Sequence, residues 1–202
     1  MLLRAFSARP VRAELDRLTE LAARLVGAPS AQVSLLTDVQ TVAAGSGLTE
    51  PANGSQGPLV DSLCTVASGL GGPLVIGDTA SDDRVAHLPP VTSGAVGAYL
   101  GVPLKNSSDQ VLGALYVFGP KARSWSAFDV GVIEQLAGAV LAQLELSAVT
   151  SEYSEDRLRW EAAADAAGIG SFVSELPAGR LEWDERMQDL RLRVRGVRSQ
   201  RR

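Results

Sequence analysis

The chain is poor in the residues that build most metal, redox and nucleophilic sites. Its 202 residues include one cysteine, Cys64, and one histidine, His87. A single cysteine excludes a disulfide within the chain and a cysteine-rich zinc site. One histidine and one cysteine also leave too few nitrogen and sulfur ligands for a transition-metal site. The sequence therefore predicts no metal ion, and it identifies no cofactor.

Long apolar runs are also missing. No run approaches the ~18 residues that span a bilayer, and Arg4, Arg9 and Arg12 interrupt the apolar core that a signal peptide would need. Hydrophobic residues make up 46% of the sequence and charged residues 21%, which is the balance of a folded globular protein. We therefore expect a cytoplasmic protein that does not contact a membrane.

The net charge of -4 is unevenly distributed. The last twelve residues, 191–202, hold six arginines and no acidic residue, and removing those six from the 19 basic residues leaves 13 against 23 acidic ones. An acidic body argues against nucleic acid as a partner. We expect the basic tail to be solvated and disordered, with a contact to phosphates as the alternative.

The first part of the chain predicts a helix followed by a β-hairpin. Apolar residues recur at helical spacing from Leu15 to Leu25, and Gly27 then ends the helix. Two short runs, from Ala31 to Thr37 and from Thr41 to Ser46, have strand character and are joined by a tight turn. The pattern therefore predicts an antiparallel hairpin.

The middle of the chain is less regular. Four features follow the hairpin: a loop from Thr49 to Gly57, a helix from Leu59 to Ser68, a short strand from Pro73 to Ile76 and an irregular stretch from Pro89 to Gly97. One helical turn is predicted between Asp82 and His87. The helix carries Cys64, so we expect this thiol to be a small buried side chain.

Two strong strands and a long helix complete the pattern. The strands run from Tyr99 to Lys105 and from Val111 to Phe118 and form a second hairpin. The second strand is apolar on both faces, which is typical of a central strand covered by helices on both sides. Ser126 and Asp129 form a capping box that starts the helix. The order of elements predicts an α+β sandwich.

Several short motifs in this order resemble those of bacterial GAF domains. The motifs are Ser62-Leu63-Cys64, Gly72-Pro73-Leu74-Val75-Ile76-Gly77-Asp78, Asp82-Asp83-Arg84-Val85, Gly101-Val102-Pro103-Leu104, Val111-Leu112-Gly113-Ala114-Leu115-Tyr116-Val117 and Trp125. The resemblance implies an α+β fold with a central antiparallel β-sheet flanked by helices and a long C-terminal linker helix. It covers residues 11–147, after an N-terminal extension of residues 1–10.

A different pattern follows the GAF-like region. Residues 148–159 are charged and polar and predict a helical linker, and residues 160–190 resemble the opening of a PAS domain. The PAS-like motifs are the run from Ala166 to Phe172 and Gly179-Arg180-Leu181-Glu182-Trp183, with a further helix expected from Asp184. A full PAS domain would need about as many residues again, so we expect this segment to be only partly ordered.

The resemblance implies a sensory or regulatory module without catalytic activity, which binds a small molecule or a partner in bacterial signal transduction. GAF domains bind cyclic nucleotides, tetrapyrroles, haem, small metabolites or nothing, so the fold does not settle the ligand. A pocket is expected between the sheet and the segment from Leu59 to Gly97. Its candidate lining residues are Leu63, Cys64, Ile76, Asp78, Val85, Tyr99 and Tyr116. The alternative is that these residues pack a second small core.

Specific chemistries find little support in the sequence. Cys64 has no basic neighbour within four residues to lower its pKa, and one cysteine cannot form the internal disulfide of the GAF-type methionine sulfoxide reductases. The Asp-Ile-Pro segment of bilin-binding GAF domains and the Asn-Lys-Phe-Asp-Glu set of cyclic-nucleotide GAF domains are not found. We expect His87 to be a solvated loop residue, and Asp78, Asp82 and Asp83 to cap a turn and line the mouth of the pocket rather than to act as acid–base groups.

The long helix is the expected output element. Binding would shift the order of the pocket loops and pass through the sheet to this helix, with a homodimer as the expected assembly. Ile133, Leu136, Val140 and Gln143 fit a heptad seam. Two alternatives stay open: the input fragment of a sensor histidine kinase, diguanylate cyclase or phosphatase, and a ligand-free dimerisation scaffold.

Overall fold

A computed structural model gives the structure and describes residues 9–47, 54–167, 172–175, 180–183 and 187–188. Residues 1–8, the basic tail and much of the predicted PAS-like segment lie outside this set. The chain divides into two units, Met1–Ala148 and Val149–Arg202, with the boundary inside the longest helix. Unit 1 contains the sheet and its covering helices. In unit 2 the described elements are the end of that helix and a two-stranded hairpin.

The elements of unit 1 alternate between helices and antiparallel strands. In chain order they are α1 (Arg9–Leu25), β1 (Ser30–Leu36), β2 (Gln40–Gly47), β3 (Gln56–Gly57), a 3-10 turn (Leu59–Asp61), α2 (Leu63–Leu70), β4 (Leu74–Ile76), a second 3-10 turn (Thr79–Ser81), α3 (Pro89–Thr92), β5 (Ala98–Lys105), β6 (Val111–Gly119) and α4 (Ala127–Ala167). Unit 2 adds β7 (Phe172–Glu175) and β8 (Arg180–Trp183). The predicted α+β fold is confirmed.

One sheet of six strands organises unit 1, in the order β3-β2-β1-β6-β5-β4. Strand β6 pairs antiparallel with β1 on one side and with β5 on the other. Every residue of β6 from Gly113 to Gly119 is buried. The prediction of a central strand covered on both faces is therefore confirmed.

Each face of the sheet has its own apolar core. The first core packs α1 and α4 on one face and includes Leu15, Ala22, Leu115, Ile133, Val140 and Leu144. The second core packs α2 and the segment 79–97 on the other face and includes Leu63, Val85, Leu88, Tyr99, Tyr116 and Phe118. The two layers cover the sheet differently. Helices α1 and α4 pack closely against their face, whereas the second layer leaves space beside the sheet.

Local hydrogen bonds set the bounds of several elements. The predicted capping box is present: Asp129 Oδ2 accepts from the Ser126 backbone N–H at 2.7 Å, and Ser126 Oγ accepts from the Asp129 N–H at 3.2 Å. The predicted helix from Leu59 to Ser68 is instead a 3-10 turn followed by α2. Ser62 separates them with an extended backbone, and its Oγ caps the N–H of Cys64 at 3.1 Å.

Two further expectations for the middle segment are corrected. The predicted helical turn between Asp82 and His87 is a series of hydrogen-bonded turns, with the Val85 and Ala86 amides both donating to the Asp82 carbonyl. Within the stretch expected to be irregular, Pro89–Thr92 forms the short helix α3. Proline at the first position of a helix is favourable because its missing N–H would have no partner there.

Helix α4 is 41 residues long and changes its environment along its length. Ile133 and Val140 are fully buried in the first core, so these two positions of the predicted heptad seam are not available to a second copy. Within the described residues, the stretch Ala127–Ala163 is long and apolar enough to cross a membrane by length and composition alone. Its most apolar 18-residue window has a mean hydropathy of 1.4, and 28% of that window is buried. A core helix of a water-soluble domain passes the same test.

Candidate functional site

A cavity of about 210 Å³ lies between the sheet and the layer formed by α2 and the segment 79–97. Strands β1, β2, β5 and β6 form its floor, α2 one wall, and residues after α3 another. Its lining residues are Gln32, Gln40, Ser62, Leu63, Cys64, Pro90, Ala95, Val96, Tyr99, Tyr116 and Phe118. The space is larger than the ~150 Å³ of a buried cavity that holds one benzene ring. It is therefore the size of a small ligand.

A chain of hydrogen bonds runs along the floor of the cavity. The Tyr116 hydroxyl donates to Gln32 Oε1 at 2.7 Å and lies 2.9 Å from Ser34 Oγ. The Gln40 side-chain amide donates to the same Ser34 oxygen at 2.9 Å. These groups come from β1, β2 and β6, which adjacent pairing brings together. Because the network lies on the sheet, its polar atoms are held in fixed positions.

Cys64, which lies in the α2 wall, contacts this polar floor. Its side chain is 2% exposed, and its sulfur contacts the Tyr99 hydroxyl at 3.7 Å and Gln40 Nε2 at 3.8 Å. Burial raises the pKa of the thiol above its ordinary value, and hydrogen bonds with Tyr99 and Ser62 oppose that rise. The thiol is therefore neutral near pH 7. Its predicted burial on a helix is confirmed, and this environment is the opposite of one that activates a nucleophilic cysteine.

Three aromatic rings form one side of the cavity. Tyr99 and Tyr116 stack with centroids 5.5 Å apart, and Phe118 lies 5.9 Å from Tyr116 in a tilted arrangement. Gly101 faces Tyr116 across the β5–β6 pair, and a Cβ atom added there would collide with the Tyr99 ring and hydroxyl. The glycine thus makes room for the Tyr99 side chain.

The two tyrosines are neutral groups at physiological pH. Burial raises the pKa of Tyr99 and of Tyr116 well above the usual value, and the neighbouring Cys64 adds to the rise. Since these and Cys64 are the titratable side chains among the lining residues, the cavity carries no ionised group near pH 7.

The structure brings together four of the seven predicted site residues. Leu63, Cys64, Tyr99 and Tyr116 line the cavity. Ile76 and Val85 are buried in the same core but lie behind the lining rather than on it. Asp78 is exposed, and its carboxylate accepts from the Ala80 N–H at 3.1 Å and from Ser81 Oγ at 2.8 Å. It therefore caps the second 3-10 turn.

The other singled-out polar residues also have local partners or face solvent. Asp82 forms a two-pronged ion pair with Arg84, at 2.6 and 2.9 Å, and this bonding lowers the pKa of the Asp82 carboxyl. Asp83 and His87 are exposed. Within the described residues there is no group of three or more His, Cys, Asp and Glu side chains placed to hold a metal ion.

Sequence reasoning missed two polar lining residues of the first hairpin, Gln32 and Gln40, and five others: Ser62, Pro90, Ala95, Val96 and Phe118. Gln32 lies on the strand face opposite Ala31, Val33 and Leu35, and the sequence pattern predicts a turn rather than a strand at Gln40. Tyr116 donates to Gln32, and Gln40 donates to Ser34. Val96 and its neighbours were placed in an irregular segment. The approach of Gln32 and Gln40 to Tyr116, more than 75 positions away, depends on the β1–β6 register, which single-sequence patterns do not give.

A second missed feature is a clasp of two side chains before α4. The Trp125 indole donates to the Ile76 carbonyl at 3.0 Å, and the backbone N–H of Arg123 donates to the Gly77 carbonyl at 2.8 Å. The Arg123 guanidinium lies over the Trp125 ring at 4.3 Å and donates to the Val26 and Gly27 carbonyls at the end of α1. The clasp therefore joins β4, α1 and the start of α4.

The segment that forms the outer wall is tied to the same region. Thr79 Oγ1 donates to the Val96 carbonyl at 2.6 Å, and the Thr79 N–H donates to the Gly97 carbonyl at 3.0 Å. The Gly97 N–H in turn donates to the Gly119 carbonyl at the end of β6. Hydrogen bonds thus link Val96 at the cavity wall to Thr79, which closely follows Ile76 and Gly77, the residues that bond to Trp125 and Arg123.

The fold and the cavity define an α+β domain in which helices cover both faces of a six-stranded antiparallel sheet and a small space remains on one face. The model of the GAF domain family matches residues 10–144, which is most of the chain. The chain belongs to the GAF domain family. No curated protein matches it in sequence.

Solved structures show the same fold at low sequence identity. The GAF domain of a phosphoenolpyruvate-protein phosphotransferase from Coxiella burnetii is 14% identical over 75% of this chain and 92% of that one, with a TM-score of 0.62. The PixJ GAF domain of Thermosynechococcus elongatus, in its blue-light absorbing form, is 20% identical over 73% and 92%, with a TM-score of 0.58. A free methionine-R-sulfoxide reductase from Neisseria meningitidis, solved with its substrate, is 18% identical over 74% and 89%, also at 0.58.

Proposed function

We propose that this protein is a non-catalytic sensory module of bacterial signal transduction, which binds a small molecule in the cavity and relays its occupancy through α4. The observation that carries the proposal is the connection between the cavity wall and the clasp. The wall residue Val96 bonds to Thr79, and the preceding residues Ile76 and Gly77 bond to Trp125 and Arg123 directly before α4. A ligand that orders the wall would therefore restrain the start of the helix.

The energy needed for this relay is small. A coupling free energy of about 1–3 kcal/mol between two sites changes an equilibrium by roughly 5- to 150-fold. A few hydrogen bonds of the kind formed by Trp125 and Arg123, each worth ~1 kcal/mol net, are sufficient to carry it. The buried face of α4 makes the helix respond to the sheet, since Ile133, Val140 and Leu144 are part of the first core.

The absence of catalysis is part of the proposal. Cys64 is buried and protonated, and the groups that touch its sulfur are a tyrosine hydroxyl and an amide, neither of which is a base near pH 7. One structural relative is an enzyme that reduces free methionine sulfoxide. We expect no reduction of methionine sulfoxide and no turnover of ATP or GTP, and either activity in pure protein would overturn this part.

A homodimer is proposed through the part of α4 in unit 2. Val149, Tyr153 and Trp160 are 63%, 73% and 55% exposed, and they fit a heptad pattern with Ala163 and Ala167 in which one core position is Asp156. In a parallel pair of helices this spacing places Glu152 of one copy beside Arg157 of the other. Opposite charges at these flanking positions favour pairing with a second copy of the chain.

The hairpin β7–β8 is proposed to be PAS-like. Its register pairs Phe172 with Trp183 and Glu175 with Arg180. A hairpin in this part of the chain supports the proposal. The cytoplasm is the proposed location of the whole module, as the composition of the chain suggests.

The experiment that tests ligand binding is native mass spectrometry of the full chain after incubation with a protein-free extract of bacterial cytosol, together with an absorption spectrum. Ala95 lines the mouth and is exposed, so Ala95→Trp should block the cavity without disturbing the core. Ala80→Trp adds the same side chain at an exposed position off the lining and is the matched control. An adduct on the wild type and on Ala80→Trp that Ala95→Trp lacks supports the proposal. Bare protein masses without an adduct on any of the three proteins would favour a ligand-free scaffold.

A further inference from the structure

The polar groups of the cavity are not equally satisfied. Tyr116 and Ser34 have short hydrogen bonds with oxygen or nitrogen partners. The Tyr99 hydroxyl is 1% exposed, and the described residues give it one polar partner, the Cys64 sulfur at 3.7 Å. A thiol is a weak acceptor and a weak donor. A buried hydroxyl with such a partner gains a strong hydrogen bond when a ligand brings an oxygen or nitrogen acceptor to it.

A complementary acceptor belongs to Gln40, a second side chain that contacts the same sulfur. Gln40 uses its amide nitrogen toward Ser34 Oγ and the Cys64 sulfur. Its carbonyl oxygen receives no hydrogen bond from the described residues and belongs to a side chain that lines the cavity. Tyr99 and Gln40 thus flank Cys64 as a donor and an acceptor.

The remaining lining sets the shape and charge of the occupant. Tyr116 and Phe118 bring aromatic rings to the lining, and planar molecules pack well against aromatic rings. No lining residue is a lysine, arginine, aspartate or glutamate. A charged ligand would therefore lose part of its hydration without gaining a counter-charge, which is costly.

We infer that the cavity takes an uncharged, planar aromatic molecule with a carboxamide- or lactam-like edge, which accepts from the Tyr99 hydroxyl and donates to the Gln40 carbonyl beside Cys64. The volume of about 210 Å³ accommodates one ring with such a substituent. This inference rests on the proposed function, because it names the chemical class of ligand for the same cavity.

The test is a titration of the isotope-labelled full chain, followed by NMR, with three probes of similar size: benzamide, benzoate and toluene. Benzamide carries the neutral donor–acceptor edge, benzoate has the same shape with a negative charge, and toluene has the ring alone. We expect saturable shifts at Cys64, Val96 and their neighbours with benzamide, and binding of benzoate at least about tenfold weaker, because its charge loses hydration.

Two variants separate the hydrogen bond from the packing. Tyr99→Phe keeps the ring and removes the hydroxyl. The affinity for benzamide should therefore fall about three- to tenfold, while the affinity for toluene should not change. Ala95→Trp should abolish binding of all probes, while the control Ala80→Trp should bind as the wild type does.

The outcomes distinguish this inference from the proposed function. Benzoate binding as tightly as benzamide, or equal loss of toluene and benzamide in Tyr99→Phe, would overturn the inferred class and leave ligand binding in place. Failure of all three probes to bind the folded wild type would also overturn the class. The proposed function would then still be decided by the extract experiment, in which an adduct blocked by Ala95→Trp would show a ligand of another class.

Discussion

The indole Nε1–H of Trp125 donates a 3.0 Å hydrogen bond to the backbone carbonyl of Ile76. Ile76 is the last residue of β4, beside the cavity layer, and Trp125 directly precedes the capping box of α4. The bond therefore joins the layer that would sense a ligand to the helix that would report it.

Replacing Trp125 with phenylalanine removes this hydrogen bond and keeps an aromatic ring under Arg123. We expect Trp125→Phe to lower the free energy of unfolding by about 1–2 kcal/mol, since the Ile76 carbonyl loses its indole donor. Chemical denaturation measures the change. Phe128→Tyr, at a 69% exposed position in the first turn of α4, is the control and should change stability little. Equal stabilities for both variants would contradict the role given to Trp125.

Arg123 satisfies two carbonyl groups that follow α1. Lysine at this position has a single ammonium group and cannot reproduce the planar contacts to Val26, Gly27 and the Trp125 ring. Arg123→Lys should therefore cost about 1–2 kcal/mol of stability. Arg17→Lys, in an exposed ion pair with Glu14, should be neutral within about 0.5 kcal/mol. A neutral Arg123→Lys variant would show that the clasp adds nothing to stability.

At position 101 even a methyl side chain in place of glycine should destabilise the domain. Because its added Cβ would meet Tyr99, Gly101→Ala should displace that ring and destabilise the domain by about 1–3 kcal/mol. Gly69 lies in α2 with open space around it, so Gly69→Ala should raise stability by about 0.5 kcal/mol through helix propensity. Thermal unfolding of the two variants should give shifts of opposite sign.

The buried thiol predicts a specific alkaline instability. In the unfolded chain Cys64 ionises near its ordinary value of 9.0, whereas burial raises its pKa in the folded protein. Above about pH 9 the unfolded state therefore binds fewer protons, and stability falls as pH rises until the folded pKa is passed. The tyrosines add a similar loss above about pH 10. Cys64→Ala should lose less stability than the wild type between pH 8.5 and 10, as measured by urea denaturation.

The proposed dimer is tested by introducing charge on the outer face of α4. Tyr153→Glu in the full chain should shift the protein from dimer to monomer in sedimentation measurements, because two buried carboxylates would face each other at the seam. Ser154→Glu adds the same charge one position away, off the heptad seam, and should remain dimeric. A wild-type protein that is monomeric at micromolar concentration would exclude this assembly.

The parts of the fold that follow local rules could be predicted from the sequence. The apolar pattern on both sides of β6 predicted its central place, and the Ser126–Asp129 pair predicted the start of α4. Ser62 showed the limit of such rules, since its extended backbone divides what apolar spacing had predicted as one helix. The spacing of Ile133 and Val140 fits a heptad seam and a core-facing helix surface equally well. Only the packing of the helix on the sheet distinguishes these two interpretations.

The candidate site was less accessible to sequence reasoning. Leu63, Cys64, Tyr99 and Tyr116 were expected at the pocket and line the cavity, whereas Asp78 was expected there and instead caps a turn. Gln32 and Gln40 become cavity residues only because β1 and β2 pair beside β6, at separations of more than 75 positions. Contacts of that range depend on strand register, which the local pattern of one sequence does not determine.

The most direct test of the central claim is hydrogen exchange of the full chain with and without the cytosolic extract, followed peptide by peptide in the wild type and Trp125→Phe. The account predicts slower exchange on ligand binding both in residues 77–97 and in residues 124–130 of the wild type. In Trp125→Phe only residues 77–97 should be protected. Protection confined to residues 77–97 in the wild type would contradict the relay, and no protection in either segment would contradict ligand sensing by this cavity.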